Sequence, residues 1–167
     1  TAYARDASRY WTGRSAAVGA VDDAAIAERS ARAFVAQHLR ELAPGAAIED
    51  LVLAANVVHD GKRTVSFWQT WRGMRVREGQ LSVVIARDAI FFAQSQAVPF
   101  VAISLGPEIA GAKDGRVVVA VDGRVRIAEH RVRGTWDEWV ALDGKVLVRE
   151  NRVRDATSTL VYDVPNP

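Results

Sequence analysis

The chain has 167 residues, 49% of them apolar, and its 22 basic against 20 acidic side chains leave a formal net charge of +2. That apolar content suffices for one buried core or two closely joined lobes, and the absence of cysteine excludes a disulfide framework and a thiolate metal site. No apolar run approaches the roughly 20 residues that a membrane-spanning helix needs, so no membrane partner is expected.

Lys62, Lys113 and Lys145 are the only lysines, and arginine supplies the rest of the positive charge, which raises the sequence pI to 9.3. A nucleic-acid interface at such a pI would cluster its basic residues around aromatic platforms. Here arginines alternate with acids and aliphatics, as in Arg149-Glu150-Asn151-Arg152-Val153-Arg154. That is the pattern of a solvated strand face, and no nucleic-acid partner is expected.

Residues 1 to 21 carry no sustained period and contain Gly13 and Gly19, so they read as an extended or loop-like lead-in that Tyr10 and Trp11 tether to the core. From Asp22 the period becomes helical. Asp22 or Asp23 caps, and Ile26, Ala27, Ala31, Phe34, Val35, His38, Leu39 and Leu42 form one apolar stripe at three- and four-residue spacing. Pro44-Gly45 stops it, which predicts one long helix over about 22–43.

Beyond the helix the period is two. Residues 51–59 read as a strand, His59-Asp60-Gly61 as a tight turn, and Val65, Phe67 and Trp71 alternate with Thr64, Ser66 and Thr70. Gly73 and Gly79 interrupt the run, Leu81, Val83 and Ile85 resume it, Arg87-Asp88 turns the chain, and a last strand-like stretch begins at Ala89. Short turns join antiparallel neighbours, so these strands are expected to form an antiparallel sheet packed on the helix. Residues 104–115, with three glycines and a proline, mark the boundary between a lobe 1–104 and a lobe 105–167. The second lobe reads as a small β-meander, its strands punctuated by Asp122-Gly123 and Asp143-Gly144. The fold class expected is therefore α+β.

The residues that would carry chemistry are scarce. His38, His59 and His130 lie far apart, no helix carries the histidine pair of a zinc peptidase, and no serine sits in a glycine-flanked nucleophile elbow. Asp22-Asp23 serves as a helix cap, and Asp137-Glu138 lies beside tryptophans at a strand start. No catalytic residue, metal or cofactor is expected, and the chain reads as a non-enzyme.

One stretch stands out: Ser66-Phe67-Trp68-Gln69-Thr70-Trp71-Arg72-Gly73-Met74-Arg75-Val76-Arg77-Glu78-Gly79-Gln80-Leu81-Ser82-Val83. Gly73 suits a backbone angle that a side chain resists, while Trp71, Met74 and Val76 surround it. Gln69 interrupts an apolar face, and its amide is expected to clamp the backbone of that turn. The stretch resembles the propeptide of fungalysin and thermolysin-like metallopeptidases, in which Gln-Thr-aromatic-x-Gly-apolar-x-Val turns into a further strand. Gln69, Trp71, Gly73, Met74, Val76 and Gly79 occupy that motif. The segment Val140 to Asn151 is similar to the hairpin of an accompanying PepSY lobe.

This resemblance implies a secreted or periplasmic domain that assists the folding of a zinc metallopeptidase, in cis or in trans, and keeps it inactive. It also implies an extended inhibitory segment, here Thr159, Leu160, Val161, Tyr162, Asp163 and Val164, laid in the cleft by strand addition. A stand-alone secreted or periplasmic protein-binding module is the alternative.

Overall fold

The computed structural model describes residues 8–101, 115–122 and 124–153. The proposed inhibitory segment Thr159 to Val164 and most of the 104–115 boundary lie outside them.

The helical pattern begins where its cap predicts. Asp23 has an extended backbone, and its carboxylate accepts from the N–H groups of Ala25 and Ile26 at 2.8 and 2.9 Å, satisfying two of the donors that a helix start leaves free. Helix α1 spans Ala24–Gln37 and buries Ala27, Ala31, Phe34 and Val35.

The long helix expected over 22–43 is not present. His38 leaves helical geometry at φ −107 and ψ 16, and the chain resumes as a single-turn helix α2, Leu39–Leu42. The His38 ring packs against Trp11 and Phe34, with centroids 5.4 and 4.6 Å away. Leu42 stays buried after the break, so the apolar stripe runs across a discontinuity that spacing alone does not register.

The sheet also differs from the expected antiparallel one. Among the described residues it is a mixed sheet of nine strands, and two short helices take the place of the single long one. Strand β1 spans Arg9–Ala16, a stretch expected to be extended or loop-like, and β2 spans Leu51–His59. Strand β3 is Lys62–Trp71, β4 is Met74–Ala86 and β5 is Ala89–Ser95. Strands β6 (Arg116–Val121), β7 (Arg124–Arg133), β8 (Trp136–Ala141) and β9 (Val146–Asn151) pair in antiparallel succession.

Strand β4 joins the two groups. One edge pairs with β3 along most of its length, while the other is shared end to end. Leu81 to Ala86 pair there with β5, and Arg75 and Val76 pair in parallel with Val117 and Val118 of β6. Short turns force antiparallel pairing, but the connection from Ser95 to Arg116 is long enough for the crossover that a parallel pair requires.

Three turns are two-residue hairpins with positive φ at both central positions: Asp60-Gly61, Arg72-Gly73 and Arg87-Asp88. Such turns match the twist of the strands they join.

One face of the sheet is covered. Val65, Phe67, Leu81, Val83, Ile85, Ile90 and Ala93 pack with Ala27, Ala31, Phe34, Val35 and Leu42 in one cluster. A second cluster, Met74, Val76, Val118 and Ile127, continues the same side of β4 into β6 and β7, with Trp71, Val98 and Val101 against it.

Candidate functional site

The strand alternation that buries one face leaves the other open. Across four strands, Tyr10 of β1 stands opposite Gln94 of β5, Gln94 opposite Ser82 of β4, and Ser82 opposite Ser66 of β3. The next row pairs Gln80 with Trp68, and the ladder extends one step beyond β5 as the Gln96 N–H donates to the Gln80 carbonyl at 2.7 Å. Gln80, Ser82, Gln94 and Gln96 line a cavity of about 180 Å³. The Ser66 and Ser82 hydroxyls share a hydrogen bond of 2.8 Å, and Tyr10 is 62% exposed beside Phe92.

Toward β6 to β9 the same face changes from amides to paired arginines and tryptophans. The Arg75 guanidinium lies 3.5 Å from the Trp68 ring centroid, and partial burial lowers its pKa from the ordinary arginine value. Arg77 sits 4.3 Å over the Trp139 ring and forms ion pairs with Glu78 at 2.7 Å and with Glu150. His130 stacks on Trp139 at 5.0 Å and 25°, and its Nε2 is 2.8 Å from an Asp137 carboxylate oxygen. On the opposite face, Arg149 covers Trp136 at 4.5 Å, and the buried Glu138 carboxylate lies 3.1 Å from Arg149 and 3.6 Å from Arg133. Planar cations and rings are suited to contact with polar and aromatic surfaces.

The motif residues come together around one irregularity. Between the pairs Trp68 with Gln80 and Thr70 with Arg75, β3 contributes Gln69 alone while β4 contributes Val76, Arg77, Glu78 and Gly79. Gln69 is 3% exposed. Its Nε2 donates to the Val98 carbonyl at 2.8 Å and its Oε1 accepts from the Val98 N–H at 2.7 Å. The amide therefore clamps the segment after β5, not the Gly73 turn. Gly79 stands against it, where a Cβ would come within 2.8 Å of Gln69 Oε1. Gly73 holds φ 78 in its hairpin, Met74 and Val76 lie in the second cluster, and Trp71 packs on that cluster.

The histidines stay apart in the fold. His38 is in the helical layer, His59 at an exposed turn and His130 on β7, and among the described residues no group of three or more His, Cys, Asp and Glu is placed to hold a metal. The glutamine array and the arginine–tryptophan pairs were not singled out from the sequence. Their signal was the polar half of the alternation, Gln80-x-Ser82 and Gln94-x-Gln96, which apolar periodicity disregards.

No protein-family model matches this chain, and no curated protein matches it. Among solved structures it is similar to the Bacillus megaterium YpeB C-terminal domain, at 14% sequence identity and a TM-score of 0.37, over 77% of this chain and 65% of that one. The chain thus spans slightly less than two thirds of that relative. At that TM-score the likeness carries no argument about fold or function.

Proposed function

We propose that this chain is a non-catalytic binding domain that holds a protein partner against the open face of its sheet. The observation that carries the reading is the face itself: side-chain amides around a cavity, continuous with rings sheathed by guanidinium groups, Arg75 on Trp68 and Arg77 on Trp139. Aromatic and arginine side chains are the usual anchors of protein interfaces. The covered face is devoted to the two apolar clusters.

The partner proposed is a secreted zinc metallopeptidase, in cis or in trans, which the domain assists in folding and holds inactive. What supports this finer reading is the resemblance of residues 66–83 to the peptidase propeptides, with Gln69 and Gly79 gathered at one irregularity between two strands and Gly73 in the hairpin turn that joins them. On this reading the chain works in a secreted or periplasmic compartment, as a lobe 1–104 and a lobe 105–167. Among the described residues no helix is long and apolar enough to cross a membrane.

The test is a titration of the chain into thermolysin and into any peptidase domain from the same precursor, following hydrolysis of a short peptide. Hydrolysis falls as the chain saturates the enzyme, and Trp68→Ala with Arg75→Ala weakens inhibition at least tenfold. Unchanged hydrolysis at saturation removes the peptidase as partner. If the chain instead captures another protein with the same sensitivity to Trp68 and Arg75, the stand-alone binding module is the correct form of the reading.

A further inference from the structure

We infer that the glutamine array on the open face is a clamp for the main chain of an extended polypeptide segment, an inference that rests on the binding reading above. Gln80 and Ser82 stand two residues apart on β4, and Gln94 and Gln96 two residues apart along β5 and its continuation. Gln94 is directly across from Ser82, and Gln96 lies beside Gln80. The four side chains form a two-by-two grid, about 6.8 Å along the strands and about 4.8 Å between them. None of them is charged. The amides of Gln80, Gln94 and Gln96 make no hydrogen bond to another described residue, so among the described residues their donors and acceptors have no partner.

Elsewhere in this molecule a glutamine already performs the proposed contact. Gln69 donates to the carbonyl and accepts from the N–H of Val98, at 2.8 and 2.7 Å, so one side-chain amide satisfies both main-chain groups of one extended residue. An extended chain presents such a pair on the same side at every second residue, again about 6.8 Å apart. That repeat equals the separation of Gln94 from Gln96. A segment lying along β5 above the face is gripped by these two amides at residues i and i+2, with Gln80 supporting it from β4. Main-chain contacts give affinity with little dependence on sequence, and the uncharged lining selects against charged side chains pointing into it. Tyr10, across from Gln94, and Trp68, across from Gln80, flank the grid with apolar surface.

Amides and hydroxyls beside aromatic rings also suit a sugar, so the experiment must separate the two ligands. The side-chain amide signals of Gln80, Gln94 and Gln96 are followed by ¹H–¹⁵N NMR as three probes are added to the full chain. The first is an acetylated, amidated hexapeptide of alternating serine and valine. The second is the same peptide N-methylated at alternate residues, which removes the donors on one side, and the third is cellohexaose. The hexapeptide shifts the three signals, and the N-methylated form and the sugar leave them in place. In Gln94→Ala with Gln96→Ala the hexapeptide binds at least tenfold more weakly, while the Gln69 side-chain signal confirms that the fold is retained. Equal response to both peptides, a response to the sugar alone, no response, or undiminished affinity in the double variant overturns the clamp. A chain that inhibits a peptidase yet ignores the hexapeptide retains the binding reading and loses only this inference.

Discussion

Gln69 and Val98 are joined as two neighbouring strand residues would be, except that one partner is a side chain: amide to carbonyl at 2.8 Å and N–H to amide oxygen at 2.7 Å. Gln69→Leu keeps the volume and leaves both main-chain groups of a half-buried residue without partners. A loss of about 2 kcal/mol is expected, within the usual cost of orphaned polar groups. It is read as a lower urea midpoint at an unchanged slope. Gln69→Glu retains the acceptor for the Val98 N–H and loses the donor while ionised. Protonation restores an O–H donor toward the Val98 carbonyl, so this variant, unlike Gln69→Leu, narrows its gap to the parent as pH falls.

Gly79 faces the same amide. A Cβ there would lie 2.8 Å from Gln69 Oε1, 2.9 Å from Gln69 Cβ and 3.1 Å from Val76 Cβ; the first atom is pinned by the Val98 N–H, and the other two sit at the base of their side chains. Gly79→Ala is expected to cost about 1–3 kcal/mol, in the range of overpacked sites. Gly61→Ala has open space around its Cβ and differs by carrying only the backbone strain of φ 68. If combining Gly79→Ala with Gln69→Ala costs no less than the sum of the single variants, the clash is not the reason for glycine at this position.

Much of the strand pattern was legible in the sequence because period two and Asp-Gly punctuation are local properties. Strand β2 begins and ends at Leu51 and His59, and Gly144 turns between β8 and β9 with φ 86. Strand β1 was legible only as an extended or loop-like lead-in, since Arg9–Ala16 contains Gly13 and pairs only with β5. Gly13 is there for packing, because a Cβ would meet the Trp11 ring at 2.9 Å. The break at His38 was hidden by a stripe that continues through it. The parallel pairing of β4 with β6 and the target of the Gln69 clamp are long-range choices, and no local period encodes them. The open face is written in the polar positions, Gln80-x-Ser82 and Gln94-x-Gln96, which apolar periodicity does not register.

The β4–β5 turn places Arg87 at φ 49 and Asp88 at φ 58, a conformation that asparagine and glycine tolerate better than arginine does. Asp88 is tied down, its carboxylate accepting from the Gly19 N–H at 2.8 Å and its carbonyl from the Ala17 N–H at 2.7 Å. Arg87→Asn relieves the first position without disturbing these bonds. A gain of about 0.5 kcal/mol is expected in thermal unfolding. Asp88→Asn, which weakens the bond to Gly19, is expected to give no gain.

The start of α1 carries an acid-sensitive element. The Ile26 N–H, and secondarily the Ala25 N–H, hold the Asp23 carboxyl below the ordinary aspartate range. A pKa lowered by folding means that the ionised form is favoured in the native state. The contribution is therefore complete above the unfolded value of about 4 and is lost as pH falls through the lower folded value. Asp23→Asn keeps a capping oxygen that does not titrate. Its melting temperature is expected to fall less steeply than the parent's as pH drops below about 4, and parallel curves would remove Asp23 from the acid response.

Arg77 is the most enclosed of the cations that cover tryptophans on the open face, its side chain 13% exposed over Trp139 and paired with Glu78 and Glu150. Either its charge or its bulk could matter, and the two make different predictions. The partner carboxylates are themselves 62% and 45% exposed, so water can solvate them when the guanidinium is removed, and exposed ion pairs contribute little. The stem and the planar group, by contrast, cover an indole that would otherwise meet solvent. Arg77→Met, which keeps most of the stem, is expected to cost about 1 kcal/mol, and Arg77→Ala about 2–3 kcal/mol, because it exposes the ring as well. The ring reports the difference directly: in a chain whose other four tryptophans are replaced by phenylalanine, Trp139 emission shifts to longer wavelength in Arg77→Ala and stays near the parent value in Arg77→Met. Equal losses in both variants, with equal emission, would mean that the ion pairs and not the cover hold this side chain in place.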